Sequence, residues 1–300
     1  MSKGVIAGSA SEKLANDISK LSGIPLVKKN VCEKSLNGRF PDGEFYARFP
    51  ERLPEEVYIV QSTYPPNTDS SYMELFLLAD VARDYGAKKV TAVIPYLGYA
   101  RQDHPKQGEV TSVATTSRIL KNIGVENVIT VDAHFCRGNE WASIYGILMR
   151  NLSALETILN YVDRELKIKD YVLIAPDKGV EPMVRKYNGI CLKKERIDAK
   201  TVKIKVPEMD LKDRDVVLYD DMVAGGNTMK LSLKEIEKLS PRRRIVSTTH
   251  PIFLESAFDL STEADFIIGT DTIPFFKDRI LEQEKAHEVS VASLIAEEIK

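Results

Sequence analysis

The residues with the clearest chemical potential lie in Val216–Met229, VVLYDDMVAGGNTM. An apolar run stops at two adjacent acids, Asp220 and Asp221, and the small residues Ala224, Gly225 and Gly226 lead to Asn227, Thr228 and a helical pattern. Glycines let backbone N–H groups turn toward an anion, and a following helix adds the positive end of its dipole. Thr228 can donate from its hydroxyl, and the two acids can accept from vicinal sugar hydroxyls or metal-bound water. Spacing alone leaves a strand-to-helix turn with an acidic cap open as well.

Other polar groups fall at similar places. RFPDGE (39–44) is a tight-turn sequence that sets an aromatic face, Phe40, beside the acceptors Asp42 and Glu44, with Gly43 easing the bend. YARQD puts Arg101, a planar fork suited to phosphate oxygens, and the neutral donor Gln102 just past an apolar run, with His104 close behind. His134 ends VDAH and Asp177 ends APD, while Lys194 and Arg196 form a K-x-R pair. Each has a plain alternative: a surface turn, an exposed basic loop, a structural histidine, a solvated charged hairpin.

The elements that must position these groups alternate along the chain. Strands are expected at 5–8, 57–62, 89–96, 127–134, 171–177, 215–221, 244–250 and 264–269, and their continuous Val/Ile content suits strands buried on both faces of a parallel sheet. Amphipathic helices are expected between them, including 69–86, capped by Ser70 or Ser71 and closed by Gly86, and 111–124, closed by Gly124. The last residues, VSVASLIAEEIK, read as another amphipathic helix. Two such series predict an α/β fold of two doubly wound domains with mainly parallel sheets, 1–149 and 150–300. In such sheets ligands gather at the carboxyl ends of strands, where the polar clusters fall.

Bulk composition narrows the class. With 43% apolar and 29% charged residues in 300, the chain can bury a sizeable core. A net charge of −2 gives no electrostatic case for nucleic acid or an anionic membrane. The three scattered cysteines, Cys32, Cys136 and Cys191, make neither a disulfide framework nor a zinc motif and fit a cytoplasmic protein. No apolar stretch approaches the ~18 residues needed to span a bilayer.

Taken together, LYDDMVAGGNTM, RFPDGE, IPYLGYARQDHP (94–105), VDAHFCRG (131–138), APDKG (175–179), KKERIDAKTVKI (193–204) and STTHPIF (247–253) resemble the ribose-phosphate pyrophosphokinase family, in order and spacing over nearly the whole chain. The resemblance implies two phosphoribosyltransferase-like domains. It implies an enzyme that moves the β,γ-diphosphoryl group of ATP to the anomeric hydroxyl of ribose 5-phosphate, giving PRPP and AMP with Mg²⁺. By the same resemblance Phe40, Asp42, Gly43, Glu44, Arg101 and Gln102 bind ATP, and His134 and Asp177 bind magnesium. Lys194 and Arg196 act on the transition state from a mobile loop, Asp220 and Asp221 hold ribose hydroxyls, and residues 224–228 hold the 5-phosphate. The loop at 39–44 is expected to reach a neighbouring subunit's ATP site, so a homo-oligomer is expected.

One departure stands out. The family's usual loop carries an acid or Ser and then a Thr where this chain has Ala224 and Gly225. An acid at the first position assists chemistry at the anomeric carbon in phosphoribosyltransferases; a diphosphokinase attacks phosphorus, so its loss is less serious here. Two rivals follow. A phosphoribosyltransferase would need a base-recognition segment and not the RFPDGE, YARQD and K-x-R motifs together. A non-catalytic regulatory paralogue would have lost the K-x-R loop.

Overall fold

A computed structural model describes residues 1–29, 38–136, 141–196 and 202–300. The chain divides into two compact units, residues 1–153 with 291–300, and residues 154–290.

The first unit carries six strands, β1 (Lys3–Ala7), β2 (Glu56–Val60), β3 (Lys89–Ile94), β4 (Asn127–Val131), β5 (Trp141–Ile144) and β6 (Ile147–Leu152), in the order β1-β2-β3-β4-β6-β5. All neighbours are parallel except β5, which returns antiparallel on β6. Helices α1 (Glu12–Ser22), α2 (Thr68–Asp84) and α3 (Ser112–Asn122) make the crossovers. The central strands are buried along almost their whole length, because helices cover both faces and each Val or Ile so enclosed contributes about 1.5–3 kcal/mol.

The second unit contains α4 (Leu155–Arg164), β7 (Tyr171–Ala175), α5 (Glu181–Arg185), β8 (Ile190–Cys191), a hairpin of β9 (Lys193–Arg196) and β10 (Val202–Lys205), β11 (Asp215–Val223), α6 (Asn227–Glu237), β12 (Arg243–Pro251), α7 (Leu260–Glu263), β13 (Phe266–Thr270) and β14 (Ala286–Val289). Its sheet runs β14-β13-β12-β11-β7-β8 with every neighbour parallel. The α/β architecture with two mainly parallel sheets is therefore as the apolar runs predict.

Two expectations need correction. The boundary drawn at 149/150 cuts through β6, and the last helix, α8 (Ala292–Ile299), belongs with the first unit, where it packs on α1. Lys3 Nζ donates to the Ile299 and Lys300 carbonyls at 2.9 and 2.8 Å, and Arg150 Nε meets Glu298 at 3.0 Å, so the terminal helix is held by its carbonyls and by an ion pair. Ser70 and Ser71 do not cap α2: it starts at Thr68 with Asn67 as N-cap, and Ser70 Oγ donates to the Asn67 carbonyl at 3.1 Å.

Candidate active site

In the second unit the polar groups gather at the carboxyl ends of β7 and β11. Strand β11 does not stop at its apolar run; it continues through Asp220 and Asp221 to Val223, paired to β12 on the way, with Asp220 opposite Thr248. Adjacent strand residues face opposite sides of a sheet, so the two acids point to different faces. Asp221 is buried and accepts the Met222 N–H at 2.8 Å; Asp220 is half-buried and accepts the Asp221 N–H at 3.0 Å. Burial, then the charges of Asp221 and Asp177, push the Asp220 carboxyl well above the usual carboxylate range. Asp177 is fixed by the turn that follows it, accepting the Gly179 N–H at 2.8 Å. Asp220 thus lies within electrostatic reach of both Asp221 and Asp177, and acids cluster at the ends of β7 and β11.

The loop 224–226 leaves this strand and opens α6. Gly226 has φ +75, and a Cβ there would lie 3.0 Å from both Ala257 Cβ and Leu260 Cδ1. Glycine is thus required twice, by the left-handed backbone and by the close approach to the segment after β12. Asn227 and Thr228 are the first two residues of the helix, whose leading N–H groups have no partner within the helix.

In the first unit the loop after β3 forms a cleft of about 370 Å³, lined among others by Asp69, Tyr99, Arg101, Gln102 and Ser112. It is shaped from below. Thr63 Oγ1 donates to the Tyr96 carbonyl at 2.9 Å and accepts the Gly98 N–H at 2.8 Å, and a Cβ on Gly98 would lie 2.5 Å from the Thr63 carbonyl oxygen. Arg101 and Gln102 are exposed on the cleft wall, where Ser112 Oγ donates to Gln102 Oε1 at 2.6 Å and leaves the amide hydrogens to donate elsewhere. Tyr99 is hydrogen-bonded to Asp69.

His134 follows β4 in a half-buried turn. Asp103 lies within electrostatic reach of it: burial would raise the Asp103 carboxyl, but the His104 hydrogen bond at 2.7 Å and the charges of His104 and His134 hold it low. Asp103 stands inside the YARQD motif, yet its sequence position alone carries no sign that it turns toward His134. Asp69 and Ser112, at helix starts distant in sequence, are likewise visible only once the chain is folded.

Phe40 to Glu44 form the expected turn, closed by Phe40 N–H to the Glu44 carbonyl at 2.8 Å and Glu44 N–H to Asp42 Oδ1 at 3.1 Å. Phe40 is 37% exposed and meets Tyr46 edge-on at 5.2 Å. Arg39 and Phe45 pair across the turn in a single antiparallel bridge. Among the described residues this turn contributes nothing to the Arg101 cleft. Lys194 and Arg196 have their backbones in β9, paired with Ile204 and Val202; their side chains, and residues 197–201, lie outside the described part of the structure. No group of three or more metal-ligating side chains forms a closed metal site among the described residues.

Comparison with known proteins decides the family. Residues 4–124 match the N-terminal domain of ribose phosphate pyrophosphokinase. The chain is 32% identical to the ribose-phosphate pyrophosphokinase of Methanothermobacter thermautotrophicus, covering 99% of each. It is 34% identical to that of Methanosarcina mazei, covering 98% of this chain and 94% of the other. The chain belongs to the ribose-phosphate pyrophosphokinase family. Its fold is also that of a solved phosphoribosylpyrophosphate synthetase from Mycobacterium smegmatis, with a TM-score of 0.82 at 22% identity over 100% of this chain and 98% of the other. These relatives align with the chain over nearly its whole length. Among the described residues no helix is long and apolar enough to cross a membrane.

Proposed function

We propose that this ribose-phosphate pyrophosphokinase takes ATP as donor and ribose 5-phosphate as acceptor, using the clusters described above. The anomeric oxygen attacks the β-phosphorus, the bond from that phosphorus to the α-phosphate oxygen breaks, AMP leaves, and the hydroxyl proton is lost to solvent. The products are PRPP and AMP. The observation that carries the acceptor half is the run of β11 through Asp220 and Asp221 into a glycine loop and a helix N-terminus. The acids suit vicinal hydroxyls, and Ala224, Gly225, Gly226, Asn227 and Thr228 offer backbone and hydroxyl donors to a terminal phosphate.

Arg101 and Gln102 bind the polyphosphate of ATP, and Phe40, Asp42, Gly43 and Glu44 bind its base from a neighbouring copy. Phe40 supports this reading because its ring is held by one aromatic contact yet stays partly open. Magnesium fits the donor chemistry: it is commonly bound by one or two carboxylates plus water and substrate phosphate, and Asp177 stands beside Asp220 in a cluster of acids. His134 and Asp177 are each candidate ligands for magnesium, which when bound would neutralise phosphate charge. Lys194 and Arg196 are the catalytic residues that act on the transferring group.

The test is to incubate the chain with ATP, ribose 5-phosphate and Mg²⁺ and follow AMP and PRPP, expected in equal amounts. No AMP above background would reject the reading. Lys194→Ala should lower kcat about 10²–10³-fold with little change in ATP affinity. Mixing Phe40→Ala with Lys194→Ala should regain part of the activity if ATP sites are shared between copies.

A further inference from the structure

The glycine loop has an odd construction: between Val223 and Asn227 it offers no side chain larger than a methyl group. A loop that binds an anion through backbone N–H groups must also keep its carbonyl oxygens away, because a carbonyl turned inward would repel phosphate. All three carbonyls are occupied from behind. The Ala224 carbonyl accepts the Leu254 N–H at 2.9 Å, the Gly225 carbonyl accepts Ser256 Oγ at 3.1 Å, and the Gly226 carbonyl accepts the Lys230 N–H at 2.9 Å. Two of these donors are backbone groups fixed by the strand end and the helix. The middle one is a side chain.

Ser256 is itself anchored. Its carbonyl accepts Lys230 Nζ at 2.6 Å, and Lys230 also pairs with Asp259, so the first turn of α6 and the segment after β12 are joined beneath the loop. A Cβ on Gly225 would lie 3.2 Å from Ser256 Oγ, a tight contact that the hydroxyl must yield to. Gly225 and Ser256 therefore fit each other.

We propose that Ser256 is the positioning residue of the sugar-phosphate loop: its hydroxyl holds the Gly225 carbonyl turned away, so that the neighbouring N–H groups face the 5-phosphate. This rests on the acceptor assignment above. Ser256 touches no substrate; it acts through the backbone of Gly225. Losing one such hydrogen bond corresponds to about a fivefold change in affinity. Ser256→Ala should raise KM for ribose 5-phosphate about fivefold, leave kcat and KM for ATP within about twofold, and leave Tm almost unchanged because the side chain is exposed. Ser256→Thr, which keeps the hydroxyl, should restore KM. Gly225→Ala should raise the same KM by displacing the hydroxyl, and in the Ser256→Ala background it should add little.

An unchanged KM in Ser256→Ala, or effects of the two changes that multiply, would overturn the proposal. Thr228→Ala separates the two levels. If it raises KM for ribose 5-phosphate while Ser256→Ala does not, the acceptor site stands and the role of Ser256 falls. If the unaltered chain shows no turnover of ribose 5-phosphate, both fall together.

Discussion

Strand β11 carries acids near both ends, and Asp215 and Asp220 have opposite fates. Asp215, at the amino end, is fully buried, yet it accepts Arg242 Nε at 2.9 Å and Arg243 Nε and Nη2 at 2.8 and 2.7 Å. Burial raises its carboxyl, but the two guanidinium groups outweigh it and bring it to about 2. Asp220, at the carboxyl end, has other acids for neighbours and is pushed up. One end of the strand thus stores stability; the other carries an electrostatic cost that an incoming ligand can relieve. Sites that bind are drawn from the end that carries the cost.

The sharpest way to break this comparison is Asp220→Asn. It should lower kcat/KM for ribose 5-phosphate about a hundredfold or more while raising Tm by about a few degrees, since a costly charge is removed. A lowered Tm would mean Asp220 is part of the structural framework. Next, Asp215→Asn should cost about 2–3 kcal/mol of stability at pH 7 with kcat almost unchanged. A depressed carboxyl contributes its stability above its unfolded value, near 3.8, and loses it as pH falls through about 2. Urea melts should therefore show the two proteins converging toward pH 2.

A smaller effect concerns ligand linkage. A raised carboxyl contributes stability below its unfolded value and loses it as pH rises through the folded one. Mg²⁺ with ribose 5-phosphate should then raise Tm more at pH 8 than at pH 5, by about a few degrees, and Asp220→Asn should flatten that difference in thermal melts. The smallest expected change is at Thr248, opposite Asp220, whose hydroxyl is wholly buried without a hydrogen-bond partner among the described residues. Thr248→Val should stabilise the free protein by about 0.5–1 kcal/mol in chemical denaturation.

Much of this was legible in the chain itself where one physical signal dominates. Eight Val/Ile-rich runs became eight sheet strands because enclosure on both faces leaves no polar alternation to confuse the reading. The strands that escape are of another kind. β5 is exposed along WAS, and AHEV of β14 is a short edge strand, so neither carries a continuous apolar run. The hairpin between β5 and β6 is marked only by Tyr145-Gly146, both at positive φ. At the candidate site, the acids and glycines announced themselves because chemistry restricts those positions to few residue types. Ser256 and Ser112 did not, because a supporting hydroxyl is one of many serines until the fold brings it to a carbonyl or an amide.

The pairing of α8 with α1 also sets an order of events during synthesis. The first unit is discontinuous: residues 1–153 must wait for residues 291–300, which follow the entire second unit in the chain. On a ribosome the second unit can complete itself while the first still lacks the helix that packs on α1. The half of the molecule that emerges first is therefore the half that finishes last.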